Sequence, residues 1–295
     1  MAFSFTAKRY NQKNFKDQLR EFAKPAYPLQ EPSDWLEAFQ MLRTYLKQLP
    51  DDGTKKVLFF DELPWIATHK SGFLSALGYF WNSWASRQPI VLVVCGSAAS
   101  WMIHKVVNNR GGLHNRITKR IFLKPFTLRE TEAYFRSRNI YFNRYQIAQL
   151  YMAMGGIPHY LKEVEGGQSA TQNIDRICFS TNGLLKGEFL RLYPSLFKNA
   201  DKHFAVIRAL GSKPQGITRK QIVALTKLPD GGGLSKVLEE LNYSGFISDF
   251  RAFGKKKKEK LYRLTDEYSL FYLKFIESEL PPSKKVASRG NGQSP

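Results

Sequence analysis

The sequence predicts an α/β protein, with helices around a parallel sheet in one part and a smaller module of short helices and a two-stranded wing in the other. Three observations carry this expectation. Val57-Leu58-Phe59-Phe60 and Ile90-Val91-Leu92-Val93-Val94-Cys95 are apolar runs without alternation, the pattern of strands buried on both faces of a parallel sheet. Between them Phe73, Leu77, Phe80, Trp81 and Trp84 recur at helical spacing, so the three segments form a βαβ unit with a right-handed crossover. From about Asp201 the texture changes to three short helical patterns, two strand patterns and a lysine-rich turn.

The elements follow in order. Phe3-Ser4-Phe5-Thr6 alternates as a short strand, and Phe15, Leu19 and Phe22 give residues 14–24 helical spacing. Residues 25–32 carry three prolines and form a loop. Ser33 caps the next helix, with Glu37 in its first turn and Trp35, Phe39, Leu42, Tyr45 and Leu46 on its apolar face. Pro50-Asp51-Asp52-Gly53 turns the chain into the first long strand, and a helix over 72–86 ends before Pro89. A short helix over 101–107 and an alternating strand over 117–123, closed by Pro125, come after the second long strand. Helices are expected over 128–139, 144–154, 159–164 and 173–190, the last broken near Asn182-Gly183. In the final module the helices span 203–210, 218–226 and 234–244, the strands 246–253 and 260–264, and a closing helix 268–279.

Composition bounds the function. With 43% hydrophobic residues over 295 positions, the chain can bury two cores. A net charge of +20 favours polyanionic partners, nucleic acid or nucleotide phosphate, although a generally basic soluble protein has the same balance. Two cysteines, Cys95 and Cys178, make neither a disulfide framework nor a metal cluster, and both are expected reduced in a cytosol. No apolar run approaches the length of a membrane span, and the first ten residues lack the order of a secretory leader. The expectation is a cytoplasmic protein without a membrane partner.

The candidate chemistry sits where the first long strand ends, on Asp61-Glu62-Leu63-Pro64-Trp65. Ligands collect at the C-terminal edge of a parallel sheet. A carboxylate there can hold a hydrated Mg²⁺, and its neighbour can orient an attacking water. The bland alternative is a buried strand running into a solvated acidic turn. The second strand ends on Cys95-Gly96-Ser97, a polar hydroxyl that by itself fits the cap of a following helix equally well. Gly155-Gly156-Ile157-Pro158 breaks a helical stretch, which two glycines and a proline explain unaided.

These residues carry a resemblance. Asp61-Glu62-Leu63-Pro64-Trp65, Phe80-Trp81-Asn82-Ser83-Trp84-Ala85-Ser86, Cys95-Gly96-Ser97-Ala98, Asn108-Asn109-Arg110-Gly111-Gly112-Leu113-His114-Asn115-Arg116 and Gly155-Gly156-Ile157-Pro158 look like the archaeal and bacterial AAA-type ATPases of the STAND class that carry a winged helix after the ATPase core. The resemblance implies an α/β fold with an incomplete P-loop NTPase (AAA/STAND) parallel sheet and helical lid, followed by a winged-helix domain, and it implies ATP and Mg²⁺ as cofactors. It further implies Asp61 as the Walker B magnesium residue, Glu62 as the catalytic glutamate, Ser97 as sensor 1 and Pro158 beside the adenine. Arg110 and Arg116 are then arginine-finger candidates; the same basic loop also suits nucleic acid or a solvated turn.

One departure matters. The family's Gly-x-x-x-x-Gly-Lys-Thr or -Ser loop, which does most of the phosphate binding, does not occur in the sequence. Residues 3–6 resemble the family's second strand, so the chain is expected to be N-terminally truncated and poor or inactive in ATP hydrolysis. Its sheet is expected to hold a slot of roughly 9–10 Å, two strand spacings, between residues 90–95 and 117–123. Unpaired edges there would favour self-association.

The final module spells a winged helix without help from the resemblance. Thr218-Arg219-Lys220 opens its second helix, and Gly231-Gly232-Gly233 turns into the candidate recognition helix. Ser235, Lys236 and Glu239 are placed for a groove, and Lys255, Lys256, Lys257 and Lys258 for phosphates. An interaction module with a solvated lysine turn is the alternative. The expected organisation is a truncated ATPase core over 1–125, a helical lid over 126–200, a winged helix over 201–280 and a disordered tail over 281–295. Two functions from different classes follow: an ATP-binding nucleotide switch with the winged helix as output, and a non-catalytic module that binds DNA or protein. A metal-dependent nuclease is disfavoured, because no further carboxylate or lysine cluster is suitably spaced from Asp61-Glu62. ATP, duplex DNA and a second copy of the chain are the expected partners.

Overall fold

Phe3 and Phe5, Leu58 and Phe60, and Leu92 and Val94 lie level with one another on one face of a parallel sheet. The computed structural model describes residues 2–6, 11–24, 29–68, 70–109, 111–251 and 260–279. Its parallel sheet has the order β1 (Ala2–Thr6), β2 (Lys56–Asp61), β3 (Ile90–Val94). Three helices, α1 (Asn11–Ala23), α2 (Trp35–Gln48) and, beyond the short α3 (Leu63–Ile66), α4 (Phe73–Ser83), lay apolar stripes on that face. The contact is largely aromatic. The Phe60 ring lies 5.8 Å from Phe39 of α2 and 5.7 Å from Phe73 of α4, and Phe3 lies 5.6 Å from Phe15 of α1. A further helix, α5 (Ala99–Met102), continues as a wider turn through Ile103–Val107.

The opposite face differs from the expectation. The unbroken apolar runs predict burial on both sides, yet Val91 is 38% and Val93 37% exposed. The expected strand over 117–123 is also absent. That segment forms no ladder with β3, and Ile121, Phe122 and Leu123 are 74%, 57% and 88% exposed. A run of β-favouring residues becomes a strand only where a neighbouring backbone offers its hydrogen bonds, and among the described residues β3 pairs with β2 alone. The cap of α2 is corrected as well. Asp34 is the capping residue and accepts from the Glu37 N–H at 2.8 Å, while Glu37 reaches back to the Ser33 N–H at 2.7 Å.

The chain divides into two compact units, 1–121 and 122–295. The second contains α6 (Leu128–Ser137), α7 (Arg144–Met154), α8 (Pro158–Leu161), α9 (Ala170–Ile174), α10 (Glu188–Leu196) and α11 (Asp201–Gly211). Then come β4 (Ile217–Thr218), α12 (Arg219–Thr226), α13 (Gly232–Tyr243), β5 (Ile247–Arg251), β6 (Lys260–Leu264) and α14 (Glu267–Phe271), with the chain helical on to Glu279. The strands form an antiparallel sheet of order β4-β6-β5. Helices start where the sequence supplies reciprocal caps: Thr127 with Glu130, Asn143 with Gln146, Ser169 with Gln172 and Thr218 with Gln221. The Ser169 cap moves the expected helix over 173–190 upstream. It ends at Phe179, and the break that follows contains Gly183, where a Cβ would lie 2.6 Å from the Ile177 carbonyl oxygen.

One apolar cluster runs through this unit from Phe135 to Ile276. At its centre the rings of Phe189 and Tyr272 stack at 4.2 Å. The Tyr268 hydroxyl donates to the Leu185 carbonyl at 2.7 Å and accepts from the Phe189 N–H at 2.9 Å, tying α10 to α14. Residues 281–295 and the lysines Lys255, Lys256, Lys257 and Lys258 lie outside the described residues. Among the described residues no helix is long and apolar enough to cross a membrane.

Removing the Phe60 ring leaves a cavity among the rings of Phe3, Phe5, Phe39 and Phe73. Phe60→Ala is therefore expected to cost about 3–5 kcal/mol in urea unfolding. Val93→Thr, on the open face, is expected to change stability by less than about 0.5 kcal/mol and to lower self-association measured by light scattering.

Candidate functional site

Register builds the site. Phe60 is level with Val94, so Asp61 and Cys95, the next residue of each strand, come side by side at the C-terminal edge of the sheet. The Cys95 N–H donates to the Phe60 carbonyl and the Leu63 N–H to the Cys95 carbonyl, both at 2.9 Å, so the two strand ends are stitched together. Between these bonds the chain must turn sharply, and Glu62 takes it at φ 52°, ψ 48°. This is the left-handed region, which costs a residue with a Cβ about 1–2 kcal/mol.

The side chains converge on two pairs. Asp61 Oδ1 accepts from the Glu62 N–H at 2.9 Å and from the Cys95 thiol at 2.6 Å. Burial and this hydrogen bond push the Cys95 thiol up to about 11, so it stays protonated. The Ser97 hydroxyl donates to Glu62 Oε2 at 3.1 Å. Gly96 lies between the pairs, and a Cβ on it would come 2.5 Å from Pro64 Cδ. The glycine therefore lets the Asp61-Glu62 turn press against the end of β3. Trp65, next in the turn, is 66% exposed.

Among the described residues no three His, Cys, Asp or Glu side chains are grouped to hold a metal ion. A carboxylate at a sheet edge can instead supply one ligand to a hydrated Mg²⁺, whose other partners are waters and substrate phosphates. Asp61 fits that pattern through the oxygen opposite its two donors.

Each of the other residues singled out by the sequence has its own local setting. Arg116 is exposed in the turn after Leu113 and is not among the groups bonded to Asp61 or Glu62; Arg110 lies outside the described residues. The turn that precedes Arg116 is tied to α4 by the Asn82 amide, which donates to the Gly112 carbonyl at 2.6 Å. In the second unit Pro158 is exposed in the first turn of α8. The preceding glycines accommodate a backbone crossing: the Phe126 N–H donates to the Gly156 carbonyl at 2.7 Å, and a Cβ on Gly156 would overlap the Phe126 carbonyl. Lys236 on α13 is exposed, 3.8 Å from Glu240. Ser235 instead accepts from Arg219, whose guanidinium also donates to Asp230 at 2.6 Å and to the Gly231 carbonyl at 2.9 Å. Sequence reasoning passed over Cys95, Gly96 and Asn82 as site residues. The signal for Gly96 was a glycine directly after a strand; for Cys95 it was a position that becomes informative only once the strands are in register.

A model of ATPase domains predominantly from Archaea matches residues 2–164. No curated protein matches the sequence. Among solved structures, the Walker-type ATPase of Pyrococcus abyssi is similar, with a TM-score of 0.64 and 18% identity over 93% of this chain and 84% of that one. The ORC1 protein of Aeropyrum pernix, solved in complex with DNA, aligns at 0.38 and 11% identity over 97% and 80%. Cdc6p of Pyrobaculum aerophilum aligns at 0.37 and 14% over 95% and 80%. The first likeness is one of fold: an α/β architecture with a parallel sheet, similar to P-loop ATPases.

Relief of the left-handed turn in Glu62→Gly offsets the roughly 0.5–1 kcal/mol of chain entropy that glycine costs. That variant is therefore expected to be no less stable than the parent. Gly96→Ala forces the turn away from β3 and is expected to lose about 1–3 kcal/mol. Equilibrium urea unfolding of both variants measures the contrast.

Proposed function

The chain belongs to the family of ATPase domains found predominantly in archaea, and from that premise we propose that it is an ATP-binding nucleotide switch of the AAA/STAND type coupled to a C-terminal winged helix. The observation that carries this reading is the Ser97–Glu62 hydrogen bond beside Asp61 at the C-terminal edge of a parallel sheet. Asp61 would hold a hydrated Mg²⁺, and an ion so held supplies positive charge to the oxygens of a transferring phosphoryl group. Glu62 would orient a water as the attacking group, with Ser97 setting the direction of its carboxylate. Arg110 and Arg116 are the candidates to meet developing phosphate charge, and Pro158 the candidate to flank the adenine. The sequence offers no Gly-x-x-x-x-Gly-Lys run to cradle a triphosphate. Nucleotide binding by these 295 residues is therefore weak, and hydrolysis is poor or absent.

The winged-helix reading of residues 201–280 is supported by the element order α11-β4-α12-α13-β5-β6 and by the sheet order β4-β6-β5. A second reading, a non-catalytic module that binds duplex DNA or protein, is favoured by the net charge of +20 and by the exposed Lys236. Lys236 and the four lysines Lys255, Lys256, Lys257 and Lys258 would lie against phosphates.

Titration with a fluorescent ATP analogue is expected to show weak, Mg²⁺-dependent binding that Asp61→Ala abolishes; no binding at millimolar nucleotide would leave the second reading. Phosphate release is expected at background, and turnover that vanishes in Glu62→Gln would locate a phosphate site elsewhere. Duplex DNA binding is expected to be salt-sensitive. Replacing the four lysines by alanine should weaken it and flatten the log–log salt slope by about 0.9 for each phosphate no longer neutralised.

A further inference from the structure

The two oxygens of Asp61 are not equivalent. Oδ1 accepts both the Glu62 amide at 2.9 Å and the Cys95 thiol at 2.6 Å. Two donors converging from the backbone turn and from the neighbouring strand fill the accepting capacity of one oxygen. They hold the carboxylate plane against rotation, and Oδ2 is the oxygen left for a ligand. The thiol donor is itself well fixed. Cys95 follows β3 in register with Asp61, and its N–H and carbonyl are both engaged, to Phe60 and from Leu63. Neighbouring strands in a sheet lie about 4.8 Å apart, a gap that two short side chains on the same side close with one hydrogen bond.

We propose that Cys95 is a positioning residue for the metal at this site: its thiol orients Asp61 so that Oδ2 alone is presented to a divalent cation. This rests on the assignment of Asp61 as the metal-binding carboxylate. An alanine at position 95 leaves Oδ1 with the amide alone and lets the carboxylate swing toward it, whereas a serine restores an O–H donor at the same place. Removing a partner that orients a metal ligand typically lowers affinity by about 10–100-fold.

The test uses the full chain with Mn²⁺ as the probe, bound metal being read by electron paramagnetic resonance. Cys95→Ala is expected to bind Mn²⁺ about tenfold more weakly than the parent, and Cys95→Ser to recover most of the loss, with unfolding midpoints of all three chains alike. The S–H stretching band in the Raman spectrum gives a second readout without metal. Cys95 should contribute a low-frequency component, absent in Cys95→Ala and shifted upward in Asp61→Ala. Equal Mn²⁺ affinity in Cys95→Ala, no rescue by serine, or a band insensitive to Asp61→Ala would overturn the proposal. If the parent chain binds no Mn²⁺ while the band still shifts, the hydrogen bond exists but the metal assignment of Asp61 fails, and the proposal falls with that premise alone.

Discussion

The parallel register of β2 against β3 is the constraint on which the site depends. Side chains alternate across a strand, so a slip of one residue would turn Asp61 to the other face and part it from Cys95. What forbids the slip is burial. Leu58 and Phe60 are fully buried, and Phe60 contacts rings from β1, α2 and α4. Displacing those side chains would cost several kcal/mol, more than the hydrogen bonds at the edge could offset. The aromatic core thus acts on the chemistry at one remove: it aligns two strand ends, and the alignment brings the carboxylates, the thiol and the serine hydroxyl together.

The turn at the strand end stores strain on that rigid support. Glu62 sits in the left-handed region without being glycine or asparagine, and such residues persist only where the surroundings over-determine them. Here the Leu63 N–H is held by Cys95, Pro64 stiffens the first turn of α3, and Gly96 admits the proline ring. A looser turn would be more comfortable but would let the Glu62 carboxylate drift from Ser97. Strain and placement are two aspects of one arrangement.

The second unit is held by a different device, polar aromatics. Tyr193 and Tyr268 are buried with their hydroxyls hydrogen-bonded, to Ser269 in one case and to the backbone around α10 in the other. Burial raises both phenols well above their usual range, so they remain neutral partners. Nearer the surface, Arg219 gathers Asp230, Gly231 and Ser235 into one cluster at the start of α13. Ser235, which the sequence places toward a groove, is therefore committed to orienting the helix, and Lys236 beside it is the side chain left outward.

The sequence by itself determined the βαβ order, the helix starts near 128 and 144, the acidic strand end and the Asp61-Glu62 pair, because each is written in neighbouring residues. Apolar periodicity is a local property, and so is a cap three residues from its partner. It also determined that residues 117–123 favour an extended backbone, but not whether they become a strand. That depends on a second backbone, and a ladder is a non-local bond. Only the tertiary structure decided that Val91 and Val93 face outward, that residues 117–123 stay unpaired, and that Cys95 rather than another group takes Asp61 Oδ1. Cys95 is 34 positions from Asp61 along the chain. Nothing local distinguishes it from a buried strand residue until register sets the two side by side.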